Sequence, residues 1–229
     1  MGELKVKNKD IVVPGQELAI GMGFLPAGAA FRDNEGVIAS QVGLVNINGN
    51  VVKIIPLTGR YVPKVGDLVV GKIVDMSFNN WFVDIGYAYD AVLSLRDVPE
   101  YVERNADLTR YYNFDDMIVA SISKVTRAMN IDLTMKGPGL IKIINGRFIN
   151  ISPSKVPRVI GKQGSMIEMI KRATNCKIIV GQNGRVWIKG EDMKNENLAA
   201  LAILKIEKES HMDGLTDKIN KFLEENKTK

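Results

Sequence analysis

The chain has 229 residues, of which 45% are hydrophobic, and a formal net charge of +5 from 31 Lys and Arg against 26 Asp and Glu. These proportions exclude an intrinsically disordered chain, and no apolar run approaches the ~20 residues needed to span a bilayer. One cysteine, Cys176, and one histidine, His211, leave no internal disulfide or cysteine metal cage and remove most zinc and Ser-His-Asp schemes. The start, Met1-Gly2-Glu3-Leu4-Lys5-Val6-Lys7, carries no long apolar stretch after its charges. The expectation is a soluble cytoplasmic protein with no membrane partner.

Residues 1–59 read as a small β domain. Short apolar runs at 11–13, 37–39, 42–47 and 51–55 alternate with turn signals, and Asn48-Gly49 reads as the centre of a type I′ hairpin turn. Gly21, Gly23, Gly28, Gly36 and Gly43 suit tight bends or bulges. A second β unit occupies 60–136, with strands expected at 65–74, 81–86, 91–95, 117–125 and 131–135. Its polar and aromatic stretch 97–114 reads as a loop with a short helix. Five short strands with one long connection fit a closed barrel of the OB type. After Gly137-Pro138-Gly139 the pattern changes. A strand at 147–151, helices at 155–160 and 165–173, a hairpin of 177–180 with 185–188, and a helix at 193–210 give the order β-α-α-β-β-α. An amphipathic helix at 215–225 follows. The fold class is multidomain, β followed by α+β.

The net charge is unevenly placed. Residues 1–59 balance to zero, 60–136 carry −2 and 191–229 carry −2. Residues 137–190 hold ten bases (Lys142, Arg147, Lys155, Arg158, Lys162, Lys171, Arg172, Lys177, Arg185 and Lys189) against the single acid Glu168, a block of +9. One-sign blocks of this kind suit a phosphate-binding surface. Inside it stands Val159-Ile160-Gly161-Lys162-Gln163-Gly164-Ser165-Met166-Ile167, between two helical segments. Glycines let backbone approach a phosphate closely, and the N-terminus of a helix favours an anion. A second G-x-x-G, Gly181-Gln182-Asn183-Gly184, lies between two apolar β runs with no helix after it and reads as a hairpin turn.

The first of these loops resembles the V-I-G-x-x-G-x-x-I signature of the KH RNA-binding module, of type I by its element order. That resemblance implies a clamp on about four nucleotides of single-stranded RNA. It assigns the loop residues Gly161, Lys162, Gln163 and Gly164 to the backbone of the strand, Ile160 and Ile178 to base faces, and Lys155, Arg158, Lys171 and Arg172 to flanking phosphates. Residues 60–136 resemble the S1 RNA-binding barrel through Val65-Gly66-Asp67-Leu68-Val69-Val70-Gly71-Lys72-Ile73, Phe82-Val83-Asp84-Ile85-Gly86 and Ile131-Asp132-Leu133-Thr134-Met135-Lys136. Phe82 fits the second of the two aromatics that S1 domains commonly carry. Asn79 stands where the first would be and Ser94 where a histidine would be. Trp81 and Phe78 are the alternative stacking residues, or one of them packs the barrel. Lys124 and Arg127 are the bases expected at a binding edge.

A β domain, then S1, then KH resembles the S1/KH-type RNA-binding cap subunits of the archaeal exosome. Polynucleotide phosphorylase has the two modules in the opposite order, behind catalytic domains. The resemblance implies three cap subunits on a hexameric, RNase PH-like ring that degrades RNA 3′→5′ by phosphorolysis. The N-terminal domain would dock on the ring, the S1 barrels would surround the pore, and the caps would have no nuclease site or cofactor. Carboxylate pairs such as Asp115-Asp116, Glu191-Asp192 and Glu224-Glu225 are adjacent in sequence and point apart on a regular element. His211 suits the end of the long helix, and Cys176 suits a core strand. The other readings are a free-standing factor in translation or RNA chaperoning, and a nuclease with an unrecognised site.

Overall fold

The computed structural model describes residues 2–34, 36–103, 106–210, 212 and 214–227. The chain divides into two compact units, Met1–Gly59 and Arg60–Lys229. His211 and the dipole role expected of it lie outside the described residues.

The described residues of the first unit form eight short strands: β1 (Glu3–Leu4), β2 (Ile11–Val12), β3 (Glu17–Ile20), β4 (Leu25–Gly28), β5 (Ala30–Asp33), β6 (Gly36–Ala39), β7 (Gly43–Asn48) and β8 (Val51–Pro56). They form two four-stranded sheets, β1-β3-β6-β5 and β2-β7-β8-β4, around Val12, Leu18, Val37, Val45, Val52 and Ile54. The β7–β8 hairpin corrects the expected turn. Asn48 pairs with Val51, so the two-residue loop is Gly49-Asn50, and only Gly49 has positive φ (+57°). Those φ signs belong to a type II′ turn, in which glycine takes the first central position. At Gly43 a Cβ would stand 2.4 Å from Ile54 Cγ2 and 2.6 Å from the Ile55 carbonyl oxygen. A glycine is required there by close strand packing.

The second unit opens with the barrel strands β9 (Leu68–Ser77), β10 (Asn80–Asp84), β11 (Ala91–Ser94), β12 (Met117–Val125) and β13 (Ile131–Thr134). They pair in the order β13-β11-β10-β9-β12, and β12 pairs back with β13 to close a five-stranded barrel. The first strand starts three residues later than expected because Gly66 takes φ +89° and Asp67 closes a turn: its carboxylate accepts from Tyr61 Oη at 2.7 Å and from the Lys64 N–H at 3.2 Å. The barrel core includes Ile73, Trp81, Val83, Ile85, Leu93, Ile122, Ile131 and Leu133, all buried. The described residues of the connection expected to hold one short helix form two three-residue 3-10 turns, Leu95–Asp97 and Leu108–Arg110. A two-residue strand, β14 (Lys142–Ile143), adds to the outer side of β12.

The remaining elements are β15 (Arg147–Asn150), α1 (Val156–Ile160), α2 (Ser165–Thr174), β16 (Lys177–Val180), β17 (Arg185–Lys189), α3 (Met193–Lys208) and α4 (Leu215–Lys227). The three strands form an antiparallel sheet in the order β15-β17-β16. Apolar residues at helical spacing on α1, α2, α3 and α4 (Val159, Ile170, Ile203, Ile219) pack with Ile178, Val186 and Ile188 of the sheet in one core.

This domain is joined to the barrel through the second G-x-x-G. The turn Gly181–Gly184 does form the β16–β17 connection, and it also inserts against the barrel. Asn183 Nδ2 donates to the carbonyls of Val70 (2.8 Å) and Ile85 (2.9 Å), and the Val70 N–H donates to Asn183 Oδ1 at 3.3 Å. The Gln182 N–H donates to the Leu68 carbonyl at 2.7 Å. Gly181 is needed because a Cβ there would stand 2.9 Å from the Val70 nitrogen. Arg185 grips Asp84 twice, at its carbonyl (2.7 Å) and its carboxylate (2.6 Å). Val70, Val119, Ile143 and Trp187 form an apolar cluster across the same seam. Burial acts to raise the Asp84 pKa, but the Arg185 hydrogen bond, the Gly86 N–H and the charges of Arg185 and Lys72 hold the carboxyl below its usual range.

Candidate nucleic-acid interface

The loop between α1 and α2 has the backbone that its glycines anticipate. Gly161 ends α1 at φ +77°, ψ 176°, Gln163 sits in the left-handed region (φ +53°), and Gly164 follows at φ +80°. The two glycines have different reasons to be glycine. At Gly161 a Cβ would stand 2.6 Å from Met166 Cβ and 2.7 Å from Met166 N. At Gly164 nothing lies within 4 Å, and only the positive φ excludes other residues. Among the described residues no side chain caps α2. The Ser165 N–H donates to the Lys162 carbonyl, and the N–H groups that follow it in the first turn have no side-chain acceptor, beside the exposed Lys162 and Gln163.

The structure divides the basic block in two. Lys142 is paired with Asp116, Lys171 with Glu168 (3.1 Å) and Arg185 with Asp84. Arg147 donates to Asn197 Oδ1, and Lys189 to the Ile144 carbonyl at 3.3 Å. Among the described residues, Lys155, Arg158, Lys162, Arg172 and Lys177 make no ion pair. Lys155 and Arg158 are three residues apart on one side of the α1 segment and lead directly to Lys162. Arg172 shares the exposed face of α2 with Ser165 and Glu168, two turns from the loop. The loop, Lys155 and Arg158 are thus brought together, whereas Lys171 is occupied and Arg172 is set apart.

Two apolar assignments need correction and one stands open to a ligand. Ile178 is only 5% exposed and faces the helices, because alternation along β16 turns it into the core; it offers no face to a base. Ile160 is half-buried at the end of α1, next to the loop. Trp81 is fully buried: its Nε1 donates to the Tyr112 carbonyl at 3.1 Å and its ring meets Tyr112 edge-on. It cannot stack on RNA. Phe78, at the β9–β10 turn, is 90% exposed. Cys176 is buried, and burial pushes its thiol pKa up, which disfavours the thiolate.

On the barrel, strand register places Phe82 opposite Val92, Val92 beside Asp132 and Asp132 opposite Lys124. Phe82 and Lys124 therefore share one outward row across β10, β11, β13 and β12, with Asp132 between them. Arg127 is exposed in the β12–β13 turn. Asn183 and Arg185, which tie the KH-like sheet to the barrel, were not legible as a seam. The sequence signal was a G-x-x-G carrying an Asn, whose amide can serve one donor and two acceptors at once.

Comparison with known proteins agrees with this architecture. A "KH domain" family model matches residues 146–194, and an "RRP4, S1 domain" model matches 60–124. The chain is 45% identical over 229 residues to "Exosome complex component Rrp4" of Pyrococcus abyssi, covering 97% of this chain and 85% of the relative. It is 41% identical over 220 residues to the protein of that name from Methanothermus fervidus, covering 96% and 97%. A crystal structure described as an exosome complex RNA-binding protein superposes with a TM-score of 0.66 at 37% identity, covering 74% of this chain and 98% of that one. With an uncapped helix behind a glycine loop, a closed S1 barrel before it and these relatives along nearly its whole length, the chain belongs to the Rrp4 family of exosome complex components.

Proposed function

We propose that this chain is a non-catalytic, cytoplasmic RNA-binding cap subunit of an exosome, and that three copies sit on a hexameric ring of RNase PH-like subunits. The observation that carries the RNA reading is that Lys155, Arg158 and Lys162, which make no ion pair among the described residues, lie on the segment leading into α2, whose start no described side chain caps. Backbone N–H groups and point charges at one loop suit the phosphates of a single strand, with Ile160 against a base. Phe82, Lys124 and Arg127 offer a second contact on the barrel. The neutral first domain is then the part that meets the ring, and the cap delivers RNA to nuclease sites that other subunits supply.

Affinity purification of the tagged chain from its native cell tests the assignment. Co-purification of a phosphorolytic exonuclease ring is expected; its absence points to a free-standing RNA-binding factor. Labelled RNA incubated with the purified chain, with phosphate and Mg²⁺, should remain intact. Degradation by the isolated chain would reject the non-catalytic reading.

A further inference from the structure

The sheet β15-β17-β16 has an open edge at β15. The strand pairs with β17 on one side, and among the described residues no strand pairs with its other side. The Ile151 N–H donates to the Gly184 carbonyl, toward β17. Alternation along an antiparallel strand therefore turns the N–H and C=O groups of Phe148 and Asn150 outward, where they make no hydrogen bond among the described residues. β15 carries no proline, lysine or bulge, the usual means of blunting a strand edge. Helix α3 runs along this edge. Arg147, at the start of β15, donates to Asn197 Oδ1, and just past its end the Ser152 N–H and Oγ donate to Glu207 Oε1 at 2.7 and 2.8 Å. Asn197, Leu201, Leu204 and Glu207 follow at spacings of four, three and three, so one stripe of α3 faces the edge. On that stripe Leu201 is 56% exposed and Leu204 40%. On the other face of the sheet Phe148, opposite Trp187, is 39% exposed.

We propose that this edge is a strand-addition site for an extended peptide segment of another protein, apolar in its middle and acidic at both ends. Main-chain bonds to Phe148 and Asn150 supply affinity, and the two leucines select every second side chain of the incoming strand. Charge sets its ends. Lys194 and Lys208 flank the leucines on the same stripe, are exposed and make no ion pair among the described residues. They stand about 21 Å apart along the helix, the reach of about six residues of strand. A second copy of this chain fits less well. Two half-exposed leucines and a four-residue edge from each copy fall far short of the ~1,200 Å² that a stable dimer buries. A twofold pairing would also gather Lys194 and Lys208 of both copies at one seam. None of these residues belongs to the α1–α2 loop, so the site is independent of the RNA reading.

The test is fluorescence anisotropy of the full chain with the fluorescein-labelled peptide Glu-Val-Thr-Val-Thr-Val-Glu, whose carboxylates match the lysine spacing. Saturable binding is expected. Asn150→Pro removes an outward N–H at an edge position that tolerates proline, and should weaken binding by about tenfold or more. Leu201→Glu with Leu204→Glu should do the same. Lys194→Glu with Lys208→Glu should reverse the preference, toward the peptide Lys-Val-Thr-Val-Thr-Val-Lys. The substituted side chains are exposed, so melting temperatures and RNA affinity should match the wild type. Where Asn150→Pro melts early, hydrogen exchange in the wild type decides: the Phe148 and Asn150 amides should slow by about tenfold or more when the peptide is added. A wild-type chain that does not bind the peptide, or binding that survives both the proline and the leucine variants, overturns the site. A wild-type dimer in sedimentation that Asn150→Pro converts to monomer also overturns it, in favour of a second copy at this edge.

Discussion

Asn183→Ala should loosen the seam between the barrel and the KH domain. The substitution removes three hydrogen bonds and leaves the Val70 N–H, the Val70 carbonyl and the Ile85 carbonyl without their partner. At about 1 kcal/mol for each bond the loss is about 3 kcal/mol, and more where water cannot replace the amide. For a cooperative unit of this size, each kcal/mol corresponds to about 2–4 °C, so the melting transition should fall by roughly 6–12 °C. Asn183→Asp is the sharper variant. It keeps an acceptor for the Val70 N–H but turns a carboxylate toward two carbonyl oxygens, and it should be at least as damaging as alanine. Scanning calorimetry of the full chain reads both. A shift below about 2 °C for either variant would refute the claim that the amide bears this seam.

The two loop glycines should differ in cost. Gly161→Ala meets both the Met166 backbone and a positive φ and should lose about 2–4 kcal/mol in urea unfolding, whereas Gly164→Ala meets only the positive φ and should lose about 1 kcal/mol. Equal costs would contradict the loop geometry. The Asp84 pKa is lowered from 3.8 in the folded chain, so its contribution is present above that value and is lost as pH falls through the lower folded value. Melting temperature should therefore fall on acidification below about pH 3.8 more steeply in wild type than in Asp84→Asn; parallel profiles would contradict the Arg185 contact. Both tryptophans, Trp81 and Trp187, are buried. RNA addition should leave the intrinsic fluorescence unchanged, and strong quenching would contradict the burial of Trp81.

Much of this molecule was legible from periodicity and punctuation. The barrel strand at 117–125 and the β-α-α-β-β-α order follow from alternation and helical spacing, because each element has one face to bury. The short strands of the first domain were less legible: β4 contains proline and glycine, and β1 is two residues long, so neither carries a pattern. In the site, the glycine loop and its cations were readable because they are contiguous. Local composition does not show which charges are cancelled. Arg185 and Lys142 belong to the basic block by sequence but to barrel carboxylates in space. Ile178 and Trp81 erred for one reason: residues in a strand point to alternate sides, and the outward side is set by tertiary packing.

The central claim is that the α1–α2 loop binds RNA. Lys162→Asp combined with Gln163→Asp tests it most directly, because both side chains are exposed and the glycines that shape the loop are kept. The variant should melt with the wild type and bind a single-stranded RNA oligonucleotide at least tenfold more weakly, given about 1.4 kcal/mol or more for the lost cation and two added charges. Undiminished affinity in a folded variant would contradict the account.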